Sequence, residues 1–140
     1  MKSHVLDPIL LCPILQQCCS AGKQKIANKH RSRLADSIKQ SIDFEEAADF
    51  WQADPTLARW DYLVKGHRPG WSAVEVHQAR ASDLVRKKKG SQTILQRHCP
   101  SMLDSIRCWH VCVEGEIHPS QRRLLADAHI QISRNFMDQA

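Results

Sequence analysis

The sequence predicts an α/β domain, a small mixed β-sheet flanked by helices. Three observations carry that expectation. Two short runs at 60–64 and 71–77 are rich in apolar and aromatic residues, and the "KGHRPG" between them holds two glycines and a proline, a strong turn signal. Segments with helical periodicity lie on both sides of the pair. A further strand-like run, "SIRCWHVCVEGEI", comes after the second helical segment, so the sheet is expected to mix a hairpin with strands reached through helices.

Taken in order, residues 1–22 read as an N-terminal extension with two prolines and a short helix after Pro13, and residues 23–140 as a single domain. Residues 24–48 read as one helix, because Leu34, Ile38 and Ile42 recur every four residues with Lys and Arg on the other side. "FWQADPTLARW" is a connection with a turn at Pro55. After the two strands, "ASDLVRKKKGSQTILQRH" is a second helix. Ser82 is its expected N-cap, Leu84, Val85, Ile94 and Leu95 its buried contacts, and Gly90 an interruption. The third strand is followed by a helix starting near Pro119 and a short strand around Ile130–Ser133.

The chain has 140 residues, with 20 Lys and Arg against 15 Asp and Glu, a formal charge of +5. That balance leans toward anionic partners such as nucleic acid. The cations are clustered, Lys23, Lys25, Lys29, Arg31 and Arg33 in one group and Arg86, Lys87, Lys88 and Lys89 in another. No apolar run approaches the roughly 18 residues of a membrane span. The start, "MKSHVLDPILLCPILQQCCSAGK", imitates a signal peptide only weakly, since Asp7 and Pro8 precede the apolar run and Pro13 splits it. A cytoplasmic protein with reduced thiols is expected. The six cysteines form no CxxC pair, and no P-loop, dinucleotide glycine motif or GxSxG is present.

Two acids stand among apolar strand residues. Strand alternation puts Trp60, Tyr62 and Val64 on one face of the first strand and Asp61 and Leu63 on the other. In the second strand Ser72, Val74 and Val76 share a face, opposite Trp71, Ala73, Glu75 and His77. If a helix packs on the valine face, then Asp61, Glu75 and His77 gather on the reverse one. Two carboxylates brought together repel, and one is expected to hold its proton more tightly unless a cation intervenes. Mg²⁺ is commonly held by one or two carboxylates together with substrate phosphate. The plainer reading is a solvated acidic face.

The order of parts around "WDYLV" and "AVEVH" resembles the restriction-endonuclease-like, or PD-(D/E)XK, nuclease superfamily. That family shows a helix, a strand with Asp, a turn, a strand with Glu or Asp followed by any residue and Lys, then a helix and another strand. The resemblance covers about residues 31–133 in element order, with Asp61 and Glu75 at the acidic positions. The chain departs from the pattern in carrying Trp60 before Asp61 and His77 in place of the lysine. The resemblance implies a metal-assisted phosphodiesterase in which Asp61, Glu75 and the Val76 carbonyl ligate Mg²⁺ or Mn²⁺. His77 is then a general base, a third ligand or a mark of lost catalysis. Glu45 or Glu46 is the carboxylate that the first helix would add. Nucleic acid is the implied partner, DNA in preference to RNA, and many nucleases of this shape pair as homodimers.

Arg86, Lys87, Lys88 and Lys89 follow the Glu75 strand and are candidate phosphate contacts, with a solvated helix face as the alternative. Lys87 or Lys88 replaces the motif lysine if its side chain reaches back to Glu75. "CWHVC" places Cys108, His110 and Cys112 on one strand face. Zn²⁺ binding there needs a fourth ligand such as Cys99, His98 or His118, and buried thiols beside a hydrogen-bonded histidine are the preferred reading. The rival functional class is a non-catalytic interaction or regulatory domain.

Overall fold

The computed structural model describes residues 7–76 and 80–137. Its elements are α1 (Pro13–Cys18), β1 (Cys19–Ala21), β2 (Gln40–Asp43), α2 (Phe44–Phe50), β3 (Tyr62–Lys65), β4 (Trp71–Val76), α3 (Ala81–His98), α4 (Pro100–Ser105), β5 (Ile106–Cys112), α5 (Pro119–Asp127) and β6 (Ile130–Ser133). Short 3₁₀ turns occupy Pro8–Leu11 and Asn28–Arg33. The six strands form one sheet in the order β1-β2-β3-β4-β5-β6. The first four pair antiparallel; β5 and β6 then add in parallel through the α3–α4 and α5 crossovers. The expected mixed sheet with helices is therefore present. No helix among the described residues is long and apolar enough to cross a membrane.

The helices gather on one face. Leu15 and Cys18 of α1, Ala47 and Ala48 of α2, Leu84, Ile94 and Leu95 of α3 and Leu125 of α5 share a core with Ile42, Leu63, Trp71, Ala73, Trp109 and Val111 from the strands. The other face is covered by irregular chain. Ile26, Leu34, Ile38 and Phe136 pack there on Tyr62, Val64, Val74, Val76 and Cys112. β4 lies fourth of six and all its residues are buried, as expected of a strand covered on both sides.

Three expectations are corrected. Residues 24–48 are not one helix but a 3₁₀ turn, strand β2 and the short α2. Leu34, Ile38 and Ile42 are all buried as their spacing suggested, yet Leu34 and Ile38 serve one core and Ile42 the other. The break comes at Asp43, whose carboxylate accepts from the Glu46 N–H at 3.3 Å and so starts a new helix. Second, the stretch set apart as an N-terminal extension supplies β1 and part of the core. Asp7 binds Lys65 Nζ at 2.5 Å and the Trp71 indole N–H at 3.1 Å. Third, α3 runs through Gly90 without a break and begins at Arg80 rather than at a Ser82 cap. Gln121 Oε1 accepts the Ala81 N–H at 2.8 Å in place of an N-cap side chain.

Gly90 has a steric reason. A Cβ at this position would sit 2.1 Å from the Ala58 carbonyl oxygen and 2.9 Å from its nitrogen. The helix must lack a side chain there for residues 58–61 to lie against it. Gly90→Ala is expected to destabilise the fold by about 1–3 kcal/mol through overpacking, despite the better helix propensity of alanine. Denaturant unfolding reads this directly, and an unchanged midpoint would show that the contact is dispensable.

Candidate functional site

The hairpin sets the two acids side by side. β3 and β4 are antiparallel with Tyr62 opposite Val74, and one more step of this register puts Asp61 against Glu75. Asp61 lies just before β3, half-buried, and its Oδ2 accepts the Val76 N–H at 3.1 Å. That bond ties the Asp61 side chain to the end of β4.

Glu75 shares its face with Trp71 and Ala73, as strand alternation requires, but the face is not solvated. It is the helix-covered one, and Glu75 is 0% exposed. Trp60 also departs from the expected alternation: it precedes β3 and packs in the helix-side core, edge-on to Trp109 at 5.4 Å between ring centres. Trp71 is fully buried and donates its indole N–H to Asp7.

A lone carboxylate in this position loses its hydration without return. Lys87, on the second turn of α3, provides the counter-charge: its Nζ donates to Glu75 Oε2 at 2.5 Å. Burial nevertheless pushes the Glu75 carboxyl up to about 7, and the negative charge of Asp61 adds to the rise, while the Lys87 hydrogen bond and charge oppose it. The Asp61 backbone N–H also favours the ionised form. Glu75 Oε1 is buried with no hydrogen-bond partner among the described residues. The site thus consists of the Asp61 and Glu75 carboxylates and the partly buried Lys87 ammonium, with Glu75 Oε1 left unsatisfied among the described residues.

α3 fixes this arrangement at several points. Ser91 Oγ accepts the Trp60 N–H at 2.8 Å and donates to the Lys87 carbonyl at 2.7 Å. Together with the Gly90–Ala58 contact, this holds residues 58–61 along the helix within reach of Lys87.

His77 lies outside the described residues. Of the four cations proposed to contact phosphate, two turn inward. Lys87 is held by Glu75. Lys88 donates to the Ala128 carbonyl at 2.6 Å and rests 5.8 Å from the centre of the Trp109 ring, where burial lowers its pKa. Arg86 faces outward beside Asp83 at 3.5 Å, and Lys89 is exposed. Glu46 is committed to Lys25 at 2.9 Å, and that hydrogen bond holds its carboxyl below the usual range.

Another acid stands nearer the pair. Asp43 ends β2 opposite Tyr62; burial raises its pKa first, and the charges of Glu46 and Asp61 contribute. Reading 24–48 as a helix hid Asp43; the Asp-x-x-Glu spacing from Asp43 to Glu46 was the signal that could have revealed it.

Cys108, His110 and Cys112 do share a face of β5, the one turned from the helices. His110 pairs with Ser133 Oγ at 2.8 Å and meets the Phe136 ring edge-on, and burial pushes the Cys112 thiol up to about 11. Among the described residues no three His, Cys, Asp or Glu side chains gather as a ligand set. No known family model matches the chain, and no curated protein or solved structure matches it significantly.

The Glu75 environment has a consequence for stability. Its carboxyl goes from an ordinary 4.5 in the unfolded chain to about 7 in the fold. Between these values the native state binds more proton than the unfolded chain, so stability falls as pH rises through the window and levels off above it. Denaturant titrations across this range are expected to show a steeper decline in the parent than in Glu75→Gln. Identical slopes would locate the linkage in other groups.

Proposed function

We propose that the protein is a divergent metal-dependent nuclease that hydrolyses phosphodiester bonds at Asp61 and Glu75, with Lys87 standing in for the motif lysine that the Glu75 strand lacks. The observation that carries this reading is the ion pair between Lys87 Nζ and Glu75 Oε2 at 2.5 Å, made from the helix that follows the strand. The element order supports it as well. Strands β2, β3 and β4 form an antiparallel meander, α3 crosses over, and β5 returns parallel to β4, an order similar to that of the restriction-endonuclease-like core.

The residues present fit a divalent ion. Glu75 Oε1 is a buried carboxylate oxygen lacking a partner among the described residues, and the half-buried Asp61 carboxylate, bonded to the β4 backbone, is near enough for its charge to raise the Glu75 pKa. Asp61 and Glu75 would hold Mg²⁺ or Mn²⁺, hard cations that take oxygen ligands. Bound there, such an ion supplies Lewis-acid polarisation of the phosphoryl group and a water of lowered pKa. The chain's own part is positional. The Val76 N–H orients Asp61. Lys87 opposes the effect of burial on Glu75 and puts a positive charge where phosphoryl oxygens gain negative charge. Outward cations such as Arg86 and Lys89 serve as phosphate contacts, which bring affinity without sequence reading. DNA is the proposed substrate in preference to RNA.

Purified protein is expected to cleave DNA only with Mn²⁺ or Mg²⁺ present. Asp61→Asn, Glu75→Gln and Lys87→Met are each expected to lower the rate roughly 100-fold or more while circular dichroism shows an intact fold. Metal-independent cleavage, or full activity in Asp61→Asn, would remove the proposal. Salt-sensitive DNA binding without cleavage would instead leave a nuclease-fold binding protein whose buried ion pair is structural.

A further inference from the structure

The sheet ends at β6, which is last in the strand order and pairs with β5 alone. An edge strand presents unpaired N–H and C=O groups, and proteins commonly blunt such an edge with a lysine, a proline or a bulge. Ile130–Ser133 contains neither lysine nor proline, and its register on β5 runs without a shift.

One hydrogen bond gives the direction of the free backbone groups. The Ser133 carbonyl accepts the Val113 N–H at 2.9 Å, so the Ser133 backbone turns toward β5. Along a strand, successive residues turn their backbone groups to opposite sides. The N–H and C=O of Ile132, and those of Ile130, are therefore aimed off the sheet. No described strand meets them there.

The side chains at this edge select what can dock. Ile132 is half-buried against the helix-side core. A cleft of about 230 Å³ opens beside it, lined also by Arg122 of α5, Arg134, Val113 and Gly115. Arg122 and Arg134 are exposed, and among the described residues neither guanidinium has a hydrogen-bond or ion-pair partner. Glu114, close by in sequence, is held by Arg33. Arg33 also donates to the Arg134 carbonyl at 3.2 Å, which anchors the chain where it leaves β6.

We propose that β6 is a docking edge for another protein and takes an extended, acidic segment of that partner as an added strand. The partner's main chain pairs with Ile130 and Ile132, and its carboxylates reach Arg122 and Arg134. In strand addition, main-chain hydrogen bonds give affinity and side chains at alternate positions give selectivity. Positive charge at the edge speeds encounter with an acidic segment. A second copy of this chain fits less well, because it brings the same two arginines and like charges across an interface are penalised. The edge shares no residue with the Asp61–Glu75 reading and does not depend on it.

The test uses the isotope-labelled full chain and a capped peptide of alternating Glu and Val at low salt. Saturable amide shifts are expected at Ile130 and Ile132, with a Kd of about 1 mM or tighter. Hydrogen exchange of the Ile132 amide is expected to slow in the complex. The same peptide N-methylated along its pairing edge is expected not to bind, since it lacks the donors. Arg122→Glu and Arg134→Glu are each expected to weaken binding about fivefold or more. Both side chains are exposed, so these variants keep the parent's thermal midpoint. The proposal fails if the peptide gives no saturable shifts, if the shifts centre on β1, or if a Lys–Val or the N-methylated peptide binds equally well. Two other results also overturn it. A concentration-dependent dimer in sedimentation that protects the Ile132 amide assigns the edge to a second copy. Single-stranded DNA that binds through both arginines, while the peptide does not bind, makes them phosphate contacts.

Discussion

The structure depends on how a carboxylate survives at the centre of a sheet. Glu75 sits on the fourth strand of six, under a helix, with no solvent exposure. Burying a charge of this kind is costly unless a partner of opposite sign is buried with it. Lys87, whose side chain is 24% exposed, supplies the opposite charge, and it reaches Glu75 because α3 packs on this face of the sheet. The pair therefore adds to the apolar contacts of Leu84, Ile94 and Leu95 that seat α3 on the sheet. It leaves one imbalance, since Oε1 has no donor among the described residues. A protein selected for stability alone has little reason to keep an acid at this position, because an apolar residue of similar volume removes both the desolvation cost and the unsatisfied oxygen. This retained imbalance links the fold to the functional proposal.

α3 also organises the chain before the hairpin. Gly90 admits the Ala58 backbone, Ser91 receives the Trp60 N–H, and Lys87 receives Glu75. These three contacts, within five residues of one helix, place Asp61 at the mouth of the pair. Each works by a different means: absence of a side chain, a neutral hydrogen bond and a charge. Movement of any one would shift Asp61 relative to Glu75, since the register of β3 on β4 sets their separation along the strand but not the path of the chain leading in.

The two faces of the sheet differ in cover and in chemistry. Helices cover Glu75, and charge interactions are stronger at such a buried position. Irregular chain covers the other face, and no described strand pairs beyond β6. The buried thiols belong to neither site. Burial pushes Cys12 up to about 11 and Cys18 up to about 12, so they behave as small apolar groups rather than nucleophiles. The net positive charge is likewise spread unevenly: part of the Arg86–Lys89 run is consumed inside the protein.

The residue pattern by itself determined the hairpin, α3, β5, α5 and β6, because turn residues and apolar periodicity are local properties written into short windows. It also singled out Asp61 and Glu75, since an acid among apolar strand residues is conspicuous in any window. It failed over 24–48, where a four-residue spacing of Leu34, Ile38 and Ile42 suits a helix yet here serves two cores, a choice made by the space left beside β3. Nor could it assign the face. Alternation shows that Glu75 and Trp71 point the same way, but whether helix or water meets them depends on how the crossovers pack. The same is true of Lys87: four successive cations read alike in one dimension, and only the seating of α3 on β4 selects the one that meets a buried acid. Pairings between distant residues depend on where whole elements come to rest, and that is decided by the packing of the complete chain.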